Sequence, residues 1–127
     1  MFPSLAPVLT GQKKLSDHKP GITVLSHAQA YALIEEGRAL LLDVREPAEF
    51  LSGAVINAKN VPLDDIRKGS LPDFALEYRL KPVIVYCRSG RRSAEAAKCL
   101  YEQGFRYLYD MGGISSWPYG TVTPSGA

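Results

Sequence analysis

The residues best suited to chemistry in this chain lie together. Cys87 closes the apolar run KPVIVYC, and Arg88, Ser89, Gly90, Arg91, Arg92 and Ser93 follow it directly. A thiol attacks as its thiolate, the form favoured at a helix N-terminus and beside cations. Gly90 permits a tight turn, the consecutive N–H groups can converge on one point, and a helical pattern, SAEAAKCLYEQG, opens at Ser93. The segment is therefore predicted to cradle negative charge, with Cys87 as nucleophile and Arg88 to Ser93 binding an anionic substrate. A lone cysteine at a strand end is ordinarily a small buried hydrophobe. Three arginines and a glycine in the five residues after Cys87 argue otherwise, because unpaired charges are poor core material. Cys99 falls roughly 9 Å further along the helix at about 1.5 Å per residue, out of disulfide reach, and is read as packing.

Short β-rich runs alternating with helical patterns must position this loop, which predicts βα units around a parallel sheet. Strands are expected at Ile22–Leu25, in ALLLDVR, at Val55–Asn60, in KPVIVYC and in FRYLYD. KPVIVYC is apolar throughout, as a central strand covered on both faces should be. Ser26 is the expected N-cap of a helix that buries Ala30, Leu33 and Ile34 and stops at Gly37. Pro47 opens a short helix through Phe50, with Gly53 beyond it. Residues 62–80 read as helix or loop, Gly104 as a C-cap, and Gly112-Gly113 as a turn. Because ligands of open α/β sheets bind beyond the carboxyl ends of strands, Cys87 stands where a site is expected.

A chain of 127 residues, 46% hydrophobic and 22% charged, suits one soluble domain. Residues 1–21 read as an arm and 22–127 as the domain. The net charge of +2 is too small for a broad nucleic-acid-binding face, and no apolar run approaches the about 20 residues of a membrane span. The N-terminus lacks the pattern of a secretory signal, so a cytoplasmic location is expected. Two cysteines without metal-ligand spacing predict neither a disulfide framework nor a bound metal.

Three segments in order resemble the rhodanese family over about Ile22 to Pro124. DVREPAEFLSGAVINAKNVP (Asp43 to Pro62) is similar to its first signature, VIVYCRSGRRS to its active-site loop, and MGGISSWPYGTVTP to its closing signature with Trp117 and Gly120. The resemblance implies an α/β fold, a five-stranded, mainly parallel sheet with helices on both faces. It also implies a two-step thiosulfate sulfurtransferase reaction. Cys87 would take sulfur from a small anion such as thiosulfate, hold it as a persulfide, and yield it to cyanide, a small thiol or a protein thiol. No cofactor is implied, and the chain is expected to act as a monomer. Arg88 is expected to contact the donor's sulfonate, with Arg91 and Arg92 assisting. Asp43 and Arg45 would border the loop in support, and Trp117 would act as a lid or packing residue.

Arg45 and Glu49 are spaced for an ion pair. Where the family signature usually reads Gly-His-Ile and Gly-Ala, this chain has Gly53-Ala54-Val55 and Asn57-Ala58. Two rival functions share the architecture. A sulfur-carrier or protein-binding module would turn over little thiosulfate. A cell-division-cycle-type cysteine phosphatase or an arsenate reductase requires cysteine, five residues and then arginine, but here Ser93 holds that position and Arg92 comes one residue early.

Overall fold

The computed structural model of the chain describes residues 18–124. Five strands, β1 (Gly21–Val24), β2 (Leu40–Asp43), β3 (Lys59–Asn60), β4 (Pro82–Cys87) and β5 (Tyr107–Gly113), form one sheet in the order β1-β5-β4-β2-β3. Every neighbouring pair is parallel. The connections carry α1 (His27–Glu35), α2 (Pro47–Ser52), α3 (Leu63–Lys68), α4 (Asp73–Leu76) and α5 (Arg91–Glu102). Most of the predicted arm, up to residue 17, lies outside the described residues. His18 is already buried, with its Nδ1 hydrogen-bonded to the Tyr109 hydroxyl, and Gly21 opens β1.

Strand alternation divides the interior into two cores. Leu41, Ile84, Tyr86, Tyr109 and Met111 face α1, where they meet Ala30 and Leu33. Leu42, Val83, Val85, Cys87 and Leu108 face the other way, against Ile66 of α3, Ala75 of α4 and Ala96, Ala97 and Leu100 of α5. All six residues of β4 are buried. The same two-residue period that makes β4 a central strand therefore points Cys87 beneath the start of α5. Cys99, half-buried on α5, packs against this core, and both cysteines are free.

Several boundaries differ from expectation. The third strand shrinks from Val55–Asn60 to Lys59–Asn60 because Val55 N donates to the Tyr86 hydroxyl at 3.1 Å and Asn57 turns the chain with φ 69°. Ala54 forms an isolated antiparallel bridge with Val122. Helix α5 starts at Arg91 rather than Ser93, and its C-cap is Gln103, one residue before Gly104. Nor is Gly112-Gly113 a turn. Strand β5 continues through it, past a bulge that pairs Gly113 with Cys87.

That continuation demands glycine. A Cβ on Gly113 would sit 2.2 Å from the Arg88 carbonyl oxygen and 2.6 Å from Ser89 Cα, distances that only backbone movement could relieve. Gly113→Ala is expected to destabilise the domain by about 1–3 kcal/mol through overpacking and to displace the Arg88–Gly90 segment. Denaturant unfolding will measure the first effect, and amide exchange at Gly90 the second.

Candidate active site

Strand β4 delivers Cys87 to the carboxyl edge of the sheet, and the loop bends back over its sulfur. Gly90, with φ 103°, takes a left-handed conformation that other residues rarely adopt, and its N–H donates to Cys87 Sγ at 3.0 Å. Ser93, in the first turn of α5, donates its N–H to the same sulfur at 3.3 Å. The Cys87 side chain is completely buried, so these amides supply the polarity that water does not. Behind the loop, Ile114 N donates to the Cys87 carbonyl at 3.0 Å and Ser115 N to the Arg88 carbonyl at 3.2 Å. His27 Nε2 lies 2.9 Å from the Gly113 carbonyl oxygen and helps to hold that backing strand.

The three loop arginines have separate environments. Arg88 is exposed and lines an open cleft of about 340 Å³ together with Arg45, Glu49, Ile114, Ser115 and Thr121. Arg91 and Ser89 are exposed. Arg92 turns away to make a forked pair with Glu49 of α2, Nη1 to Oε1 at 2.7 Å and Nη2 to Oε2 at 2.9 Å. This corrects the expected Arg45–Glu49 pairing. The Arg92 hydrogen bonds hold the Glu49 carboxyl at about 2, against an ordinary 4.5, despite an opposing effect of burial. The Arg92 pKa rises in turn, first through those bonds and then, against burial, through the charges of Glu49 and Cys87.

Arg45 is committed elsewhere. Its Nη2 donates to Asp43 Oδ2 at 2.7 Å and to the Gly53 carbonyl at 2.6 Å, while its Nε lies 3.0 Å from Asp43 Oδ1. Asn60 Nδ2 bridges the carbonyls of Asp43 and Arg45, each at 2.9 Å. The pair is buried and ties the end of β2 to Gly53 beyond α2. Burial pushes the nearby Tyr86 phenol up, and the Asp43 charge adds to the rise. Trp117 packs edge-on against His27, with ring centroids 5.2 Å apart, and donates Nε1–H to the Gly120 carbonyl at 3.1 Å. Its surroundings are those of a packing residue.

Two contributors were not singled out from the sequence as members of the site. For Glu49, four-residue spacing is a local signal that points to Arg45, whereas its partner comes from α5. Asp110, at 8% exposure, accepts from Ser93 Oγ at 2.7 Å and from Gly112 N at 2.9 Å, both on Oδ1. Its signal was an acidic residue inside an apolar strand at the sheet edge where the site gathers.

Comparison with known proteins places the fold. The family model of the Rhodanese-like domain matches residues 26–118. The chain belongs to the rhodanese-like domain family. It is 30% identical over 94 residues to the thiosulfate sulfurtransferase GlpE of Coxiella burnetii, covering 73% of this chain and 84% of that protein. It is 38% identical over 82 residues to the Bacillus subtilis protein YqhL, covering 63% of this chain but only 61% of YqhL. Among solved structures, a rhodanese-related protein from Thermoplasma volcanium superposes with a TM-score of 0.66 at 31% identity, covering 80% of this chain and 99% of that one. In this chain the central strand β4 ends on Cys87, and the family includes proteins named as sulfurtransferases.

Within this rhodanese-like domain, no described group of three or more His, Cys, Asp or Glu residues is arranged to hold a metal ion. Among the described residues, no helix is long and apolar enough to cross a membrane.

The Glu49–Arg92 pair makes a pH prediction. A carboxyl held near 2 against an ordinary 4.5 adds stability that is fully present above the ordinary value and is lost as pH falls through the lower one. Glu49→Gln is expected to cost about 0.5–1 kcal/mol at neutral pH, a range suited to a half-exposed pair. The gap from the parent protein should close as pH drops from 4.5 towards 2, as measured by denaturant titration at several pH values.

Proposed function

We propose that the domain is a thiosulfate sulfurtransferase that moves sulfane sulfur through a persulfide on Cys87. The observation that carries this reading is the convergence of the Gly90 and Ser93 amides on Cys87 Sγ, at 3.0 and 3.3 Å. Donors fixed on a buried sulfur favour its anion and need no reorganisation as charge shifts. In the first step the thiolate attacks the outer sulfur of thiosulfate. A new S–S bond forms on Cys87, the donor's S–S bond breaks, and sulfite leaves with the electron pair. In the second step cyanide or a thiolate, small or on a protein, attacks the outer persulfide sulfur, and the Cys87 thiolate returns.

Arg88, exposed on the cleft, takes the sulfonate of the donor, while the Ser89 and Arg91 positions line the approach. Because Cys87 has no exposed surface of its own, loading includes a parting of the segment from Arg88 to Arg91. Arg92 supports this reading over phosphoryl chemistry. Its guanidinium is spent on Glu49 rather than offered to a tetrahedral anion inside the loop. Arg45, held in place by the buried Asp43, serves as a fixed part of the cleft wall.

Treatment with thiosulfate is expected to add about 32 Da to the protein, removable by cyanide or reductant. Cys87→Ser should gain no mass and transfer no sulfur, and an unchanged rate in that variant would exclude the mechanism. Arg88→Ala should raise KM for thiosulfate about tenfold with a smaller change in kcat, the loss expected for one charge-assisted hydrogen bond. Hydrolysis of an aryl phosphate without the mass gain would point to a phosphatase instead.

A further inference from the structure

Asp110 is an acidic residue in an apolar position. It pairs in register with Val85 of β4 and Val24 of β1, so its side chain leaves the sheet on the face of Val83, Val85 and Cys87, beneath α5. Nothing about packing calls for a carboxylate there. What Asp110 gains by its place is a pair of hydrogen bonds, from Ser93 Oγ at 2.7 Å and from Gly112 N at 2.9 Å.

Both bonds lead to the active-site loop. Ser93 is the residue whose N–H donates to Cys87 Sγ at 3.3 Å, and its hydroxyl lies 3.1 Å from the Gly90 carbonyl oxygen, further than from Asp110. Gly112 leads into Gly113, which abuts Arg88 and Ser89 so closely that a single methyl would collide with them. Asp110 thus grips the loop at both ends, through the first turn of α5 and through the strand that backs it.

We infer that Asp110 is a positioning residue for sulfur transfer, holding the Ser93 amide on the Cys87 sulfur and the Gly112–Gly113 strand against the loop. The inference rests on the sulfur-transfer role of Cys87. It makes the carboxylate act through geometry: an acceptor oxygen at this point is what matters, and the charge is incidental. Asparagine, which presents an amide oxygen in the same place, should therefore substitute, whereas alanine should not.

The experiment is single-turnover loading of the full chain with thiosulfate, followed by the mass gain on Cys87 as a function of thiosulfate concentration. Asp110→Ala is expected to slow the maximal loading rate by about ten- to a hundredfold while the half-saturating concentration changes by less than about threefold. Asp110→Asn should recover most of the rate. Ser93→Ala should slow loading by about tenfold, and adding it to Asp110→Ala should slow loading no further, because the two act as one unit. Loading by Asp110→Ala at the parent rate, equal losses in Asn and Ala, or multiplying effects with Ser93→Ala would each overturn the inference. Should Asp110→Ala not fold, parent-like loading by Ser93→Ala or a deep loss in Asp110→Asn overturns it equally well. If the parent protein itself gains no sulfur, the sulfur-transfer role fails instead, an outcome distinct from all of these.

Discussion

A sulfur atom that is cut off from water and yet faced by two converging amides sets the terms for this structure. Cys87 has no exposed surface, and an anion in such a place is costly unless the protein replaces its hydration. The amides of Gly90 and Ser93 do so, and each depends on other parts of the fold. Gly90 must adopt a positive φ. Helix α5 must begin at Arg91, so that Ser93 falls in its first turn with an N–H not yet claimed by the helix. Strand β4 must keep its register, since a slip of one residue would turn Cys87 to the α1 face and away from both donors.

The clustering of Arg88, Arg91 and Arg92 suggests a concerted anion trap, but helix geometry disperses it. Arg91 and Arg92 are the first two residues of α5, about 100° apart around its axis, and cannot face the same point. One is left exposed and the other is claimed by Glu49. Only Arg88, still on the loop, faces the cleft. Since the forked Arg92–Glu49 contact joins α5 to α2, the positive charge on the second residue of the helix braces the wall of the site.

What was legible in the sequence was whatever depended on local periodicity. The apolar run into Cys87, the alternation of strands and helices, and the Ser26 cap, whose Oγ accepts from Gln29 N at 3.1 Å, all follow from neighbours a few residues apart. Contacts between distant segments were not legible. The third strand shortened because Tyr86, 31 residues away, takes the Val55 amide. Gly112-Gly113 read as a turn because paired glycines usually are, whereas here the absent side chains admit the loop backbone. The role of Asp110 is not legible from its neighbours, because its value lies in a partner on α5.

The buried Asp43–Arg45 pair raises a different issue, because such pairs seldom add net stability over apolar residues of the same size. Its geometry offers a better reason for its presence. Arg45 spans from the Asp43 carboxylate to the Gly53 carbonyl, and Asn60 closes the bracket from β3. Apolar side chains could fill this volume but could not fix the direction in which the chain leaves β2. That direction decides where α2 lies, α2 decides where Glu49 meets Arg92, and Arg92 belongs to the helix whose first turn holds the sulfur. A chain of oriented hydrogen bonds thus runs from the end of β2 to the amide of Ser93. The polar residues at the carboxyl edge of this sheet set the shape of the cleft, while the two apolar cores beneath them supply the burial.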